Sequence, residues 1–376
     1  MNWGNSVCLT LVFGALLLWS ACSSDKPVEP PPPVDVPLET DTADVCENDQ
    51  LDAGWHVLTT CRSEGQLLSV WGTGPEDVWT VGAGGQVLHF DGCVWNTLDP
   101  GTPADLWWVY GFKDGPTFMT GSEGTALRYT PDSGFVAMDT GVDVTLFGVW
   151  GPSPDRLWSI GFSPDNAQPS VILEYDGSAW SPVTGLPESI TDTSHFFKVW
   201  GTSADDVWVV GRADIILHWD GQSWSEDKSG LDEDWVTITG RNNESGTPDI
   251  IIVGGRNQGT ILQKTSSGWK SVGPEGYPPL QGVCVQPDGT AIATGVGATI
   301  LQRTPGLLWN EALDAPFDVV DPVHPPVPGC KMPTPDYHAC FADGEGAFFL
   351  VGGNFFAALT EGAILHKGPP ISTQGL

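Results

Sequence analysis

The chain has 376 residues, 40% of them hydrophobic, with 15 Lys plus Arg against 47 Asp plus Glu and a formal net charge of -32. That apolar content excludes a mainly disordered polymer, and the length suffices for one large core or several domains. So acidic a surface repels a phosphate backbone, which excludes nucleic acid as the expected partner.

The opening stretch, MNWGNSVCLTLVFGALLLWSAC, ends at Cys22 and contains no Asp, Glu, Lys or Arg. Val7 to Trp19 is a mostly apolar run, too short to span a bilayer and suited to the hydrophobic part of an export signal. Residues 1–21 are therefore expected to be a signal peptide. The end of the run, Leu18-Trp19-Ser20-Ala21-Cys22, resembles the lipobox of bacterial lipoproteins, which implies acylation of Cys22 and an anchor in the membrane. Trp19, where that family usually has Leu, and an n-region without Lys or Arg depart from the pattern. Ser23 after the cysteine resembles the outer-membrane sorting of Gram-negative lipoproteins.

Residues 22–45 follow as a tether. Six prolines and six acidic residues between positions 23 and 45 leave too little apolar surface to offset ordering entropy. In an extended polyproline-like form the segment reaches about 70 Å.

Beyond Cys8 and Cys22 six cysteines remain, Cys46, Cys61, Cys93, Cys284, Cys330 and Cys340, and export makes all six disulfide candidates. Six allow fifteen complete pairings, and sequence does not choose among them. His324, Cys330, His338 and Cys340 lie near one another in the chain, but without a C-x-x-C pair or standard ligand spacing no metal site is expected.

From Val70 the chain repeats itself. VWGTGPEDVWTVGAGGQVLHFDGCVW (70–95) returns as VWGTSADDVWVVGRADIILHWDGQSW (199–224). Alignment places Trp71, Tyr110, Trp150, Trp200, Thr239, Cys284 and Phe341 in one column, with the longest intervals before Trp200 and Phe341. The preceding column is Val70, Val109, Val149, Val199, Ile238, Val283 and Cys340, nearly all β-branched. Each unit contains four short β-type runs joined by Gly, Pro and Asp-rich turns, among them Asp91-Gly92, Asp176-Gly177 and Asp220-Gly221. Four antiparallel strands per ~40 residues, repeated, mark a β-propeller blade. The expectation is an all-β propeller of seven four-stranded blades over residues 46–368, followed by a tail, 369–376.

The ends of the repeat region complement each other. Trp55-His56-Val57-Leu58 matches Trp95-Asn96-Thr97-Leu98, a last-strand segment with no blade before it, whereas unit seven stops after Gly362–His366. Residues near 55–60 are expected to supply the outer strand of the last blade, removing an unpaired edge. Twelve tryptophans fall in repeat columns and read as packing between blades, and His89, His218 and His366 share a structural column. Trp108 stands apart, in a column that otherwise reads Ser69, Gly148, Lys198, Thr237, Gly282 and Ala339.

The pattern WGxxxxDVWxVGxxGxILHxDGxxW resembles the blade repeat of secreted bacterial propellers in the broad WD40/YVTN/BNR-like group, over about residues 55–368. The resemblance implies fold more than function, because propellers host enzymes, glycan binders and scaffolds. The leading expectation is a cell-envelope lipoprotein that displays a binding or scaffold module for a protein or glycan. The alternatives are a carbohydrate-active enzyme, sialidase- or lyase-like, and a structural component of an envelope assembly. Sialidase-like propellers imply an arginine triad and an F-R-I-P motif, which the seven scattered arginines here do not provide. No nucleophile elbow, zincin, phosphate-loop or EF-hand motif is present, so no catalytic residue and no cofactor is assigned, and no motif supports Ca²⁺. The long insertions, at 162–170, 182–197, 226–235 and 313–340, fall mainly on the face where propellers bind ligands. Trp108, Asp165, Asn166, His195, Lys198, Asp232 and Asp234 are the candidate ligand-binding residues.

Overall fold

In the repeat unit, a β-branched residue is followed by an aromatic and then a glycine, and this triplet sets how neighbouring blades meet. The computed structural model describes residues 54–62, 65–242, 248–306, 308–312, 335–353 and 362–376. The expected signal peptide, Cys22, the tether, Cys46 and Cys330 lie outside the described residues, as does most of the 313–340 insertion. The described residues form seven four-stranded antiparallel sheets. The first six blades are each consecutive in the chain; the first consists of Leu67–Gly74, Asp77–Gly82, Val87–Phe90 and Trp95–Leu98. In the seventh, Asp336–Ala342, Phe348–Gly353 and Gly362–Lys367 are joined by an outer strand from the other end of the fold, Trp55–Arg62. The closing register pairs Trp55 with Lys367, His56 with His366 and Val57 with Leu365.

The core is divided among the seams. Seven apolar clusters are found, each joining two neighbouring blades. The β-branched column, Val70, Val109, Val149, Val199, Ile238 and Val283, is buried in or beside these seams. The aromatic and the glycine of the triplet act across them. A Cβ at Gly201 would stand 2.7 Å from Trp150 Cη2, one at Gly240 2.7 Å from Trp200 Cη2, and one at Gly72 2.7 Å from Phe341 Cε1. Each aromatic thus lies on the glycine of the next blade, which is why the two residues recur side by side. The cluster at the closing seam holds Leu58, Leu67, Phe349 and Ile364 and is also covered by Ile371 and Leu376. The Trp95 amide donates to Gln374 O at 2.8 Å, so the C-terminal tail is docked on the first blade.

Polar residues brace the blade edges. Asp77 accepts from Trp79 Nε1 (2.8 Å), His89 Nε2 (2.8 Å) and Thr73 Oγ1 (2.7 Å), while the His89 ring stacks on Trp79. Blade four repeats the set with Asp206, Trp208, His218 and Thr202. The shared histidine column therefore serves structure in these two blades. Cys284 and Cys340 form a disulfide between the innermost strands of blades six and seven. Cys93 is disulfide-bonded as well, and Cys61 lies in the closing strand with its side chain outside the described set.

Two outcomes follow from these contacts. Burial alone would raise the Asp206 carboxyl, but hydrogen bonds from His218 and Thr202, the charge of His218 and the Trp208 bond hold it below its ordinary 3.8. A depressed carboxyl contributes stability that is complete above 3.8 and lost as pH falls through the lower folded value. Asp206→Ala is expected to cost about 1–3 kcal/mol at neutral pH, and the difference from wild type should shrink on acidification in paired thermal melts. The Cys284–Cys340 bridge closes a separation of 56 residues. Its removal in a Cys284→Ser, Cys340→Ser double variant should lower unfolding free energy by about 2–4 kcal/mol in denaturant titrations.

Candidate functional site at the channel mouth

The innermost strands of the seven blades begin at one end of the central channel, and each begins with the same irregularity. Between Leu67 and Ser69 the pairing with the second strand skips one residue, and the equivalent skip recurs in all seven blades. The skipped residues are Leu68, Trp107, Phe147, Phe197, Val236, Gln281 and His338. A bulge of this kind leaves one residue outside the ladder and re-aims its side chain. The residue before each skip is fixed in the core: Leu67, Leu106, Leu146, Phe196, Trp235, Leu280 and Tyr337 are all buried. With that anchor set, the seven skipped side chains line a single cavity of about 380 Å³ at the channel mouth.

The cavity has two unlike walls. On blades two to four, Trp107 meets Phe147 edge-on at 5.0 Å, Phe147 stacks on Phe162 at 4.5 Å, and Phe162 meets Phe197 edge-on at 5.6 Å. Opposite them stand Val236, Gln281, His338 and Leu68. The Gln66 side-chain amide donates to His338 Nε2. Burial, and secondarily the charge of Lys198, push His338 down to about 3, so its imidazole is neutral near pH 7.

Trp108 and Lys198 form the floor. Both line the mouth cavity and also the inner channel beneath it, a second space of about 250 Å³. Lys198 Nζ lies 3.3 Å from the Trp108 ring centroid and donates to Phe147 O at 3.3 Å. Its stem crosses blade three at Gly148, where an added Cβ would stand 3.6 Å from Lys198 Cδ. Lys198 is 8% exposed, and burial holds its pKa well below the ordinary lysine value.

The other candidates fall outside the lining. His195 Nε2 donates to Asn166 Oδ1 at 2.9 Å, and the His195 ring stacks on Phe162 at 4.2 Å. This pair buttresses the aromatic wall from behind. Asp165 caps its own turn, accepting from Ser163 Oγ and the Ala167 amide. Asp232 and Asp234 grip Arg256 at 2.9 Å each, with Arg212 3.8 Å from Asp234, on the loops of blades four and five. Of the seven candidates, Trp108 and Lys198 are the two that line the mouth. Sequence reasoning missed Trp107, Phe147, Phe162, Phe197, Gln281 and His338. A signal existed for five of them: their column changes chemical type from blade to blade directly after a column of uniformly large apolar residues.

No protein-family model matches the chain, and no curated protein matches it. Solved structures do. YCF48 from Cyanidioschyzon merolae superposes with a TM-score of 0.60 at 15% identity, over 84% of this chain and 99% of that one. A structure of YCF48 bound to D1 peptide gives 0.58 at 13% identity, over 84% and 97%. The WD40 β-propeller domain of Doa1 gives 0.58 at 10% identity, over 86% and 99%. These likenesses show the seven-bladed propeller fold.

A lysine held this way costs stability. Lys198→Met is expected to raise unfolding free energy at neutral pH by about 1–3 kcal/mol, the cost of a poorly partnered buried polar group. Because the folded pKa lies below the unfolded 10.5, the wild type gains stability as pH rises from the folded value towards 10.5. The gap between variant and wild type should therefore close over that range in paired denaturant titrations.

Proposed function

We propose that this chain is an exported, lipid-anchored protein of the cell envelope whose propeller binds a segment of a protein partner at the channel mouth. The observation that carries the binding role is the convergence of one bulged side chain from each of seven blades on one aromatic cavity. Its volume falls in the range of ligand pockets, and rigid aromatic anchors supply binding energy at low entropic cost. The solved YCF48 complex with D1 peptide offers a precedent for a propeller of this architecture holding a peptide. Export and anchoring rest on the sequence: the apolar run Val7–Trp19, Cys22, and the proline and acid-rich tether. An outer-membrane location in a Gram-negative envelope fits Ser23 and the use of cysteine.

A glycoside-cleaving enzyme finds less support. Glycoside hydrolysis ordinarily uses a pair of carboxylates across the scissile bond, and the described residues lining the mouth and inner channel include neither Asp nor Glu.

A displayed peptide library screened against the immobilised full chain tests the binding role. Selected peptides should lose ten-fold or more in affinity to a Phe147→Ala, Phe197→Ala double variant, in line with truncation of aromatic anchors. Val136→Ser, on the exposed outer strand of blade two, should leave them bound. Equal binding to both variants would place the ligand elsewhere. In cells, Cys22→Ser should abolish incorporation of labelled fatty acid and release the chain from the membrane fraction.

A further inference from the structure

Among the described residues, the mouth is lined by one amine and no carboxylate. The chain carries 47 Asp plus Glu, yet none of those among the described residues lines the mouth cavity or the channel below it. His338 is neutral there and adds no charge. Lys198 has no carboxylate partner among the described residues; its contacts are Phe147 O and the face of Trp108. An amine buried without a counter-charge is one half of an ion pair, its desolvation cost already met by the fold. The described residues do not supply the other half, and a group reaching the floor through the mouth would meet the aromatic surfaces of Trp107, Phe147, Phe162 and Phe197.

We propose that the mouth binds a carboxylate carried on an aromatic or other apolar body, the carboxylate accepting from Lys198 Nζ while the body lies against the aromatic wall. This rests on the reading of the mouth as a ligand site and gives that site a chemistry. A monoanion suits a floor with a single amine, whereas a phosphate dianion needs more charged donors than Lys198 supplies. The same chemistry comes from a peptide, through its chain end or an acidic side chain, and from a free organic acid.

The full chain is titrated with 3-phenylpropionate and with its amide, 3-phenylpropanamide, following tryptophan fluorescence and the NMR signal of the Lys198 side chain. In the wild type the acid should bind about ten- to a hundred-fold tighter than the amide, the value of a hydrogen bond to a charged group. Lys198→Met should abolish the preference while keeping the amide affinity, and Lys198→Arg should retain the preference. Equal binding of acid and amide, a preference that survives Lys198→Met, or no saturable binding of the acid would each overturn the inference. Peptides ending in Phe, as free acid and as amide, distinguish the sources: a chain-end acid that outbinds 3-phenylpropionate identifies a peptide, and the reverse order identifies a small acid. Peptides held at the mouth with no sensitivity to loss of their carboxylates would sink the carboxylate and leave the peptide site standing. Acid binding with no peptide binding would sink the peptide reading and leave the carboxylate standing.

Discussion

A ring of sheets holds together only when every blade has two neighbours, and here the last blade is completed by a strand from the opposite end of the repeat region. Trp55–Arg62 pairs with Gly362–Lys367, and Leu58 enters the same apolar cluster as Leu67 and Ile364. Closure therefore uses backbone hydrogen bonds and apolar burial at one seam. It pairs the edge of Gly362–Lys367, which would otherwise be bare and invite association. The C-terminal tail reinforces the same region through Ile371, Leu376 and the Trp95–Gln374 bond. The Cys284–Cys340 bridge ties the neighbouring seam from the channel side.

Closure also determines what the mouth can be. Each innermost strand is gripped just below its bulge by a buried residue such as Leu106 or Trp235, so the bulged side chain beyond it has a fixed base. Seven fixed bases around a ring put seven side chains on one cavity without any long loop. The aromatic wall arises because blades two, three and four place Trp107, Phe147 and Phe197 at this position, with Phe162 between them. His195 and Asn166 then support that wall from outside. Preorganisation of this kind lowers the ordering cost that a ligand must otherwise overcome.

The polar residues divide into two classes by what surrounds them. Asp77 and Asp206 sit at blade edges with enough donors to stay ionised, and they organise Trp, His and Thr side chains into repeated braces. Blade five keeps the aspartate, as Asp249, but fills the set with Gln263 and with Arg303 from blade six. Lys198 is the opposite case. It is buried where the fold gains nothing from its charge, against an aromatic face that compensates only in part for lost water. A residue that opposes local stability at the centre of a cavity is a common mark of a site shaped for something other than folding.

Repetition made the architecture readable from primary structure alone. Glycine and tryptophan recur at blade spacing because each aromatic must rest on a glycine of the next blade. The unmatched Trp55 segment and the truncated seventh unit together implied a shared blade. Trp108 was also legible, because its column otherwise holds mostly small residues, and Lys198 because it directly follows the 182–197 insertion. The rest of the mouth showed in the sequence only as a column of changing chemical type, with no sign that it faced the channel, for a geometric reason. In a regular strand, neighbouring residues point to opposite faces, so Phe147 and Phe197 read as ordinary strand residues beside Leu146 and Phe196. Only the bulge, a feature of pairing between strands, turns that one position in each blade towards the channel, and only the closed ring brings positions as distant in the chain as Leu68 and His338 onto one cavity. Likewise, sequence left fifteen cysteine pairings open, and packing of blades six and seven placed Cys284 against Cys340. Composition, period and spacing were enough for the blades and their order; convergence depended on the register of pairing and the closure of the ring, which exist only once distant strands have met.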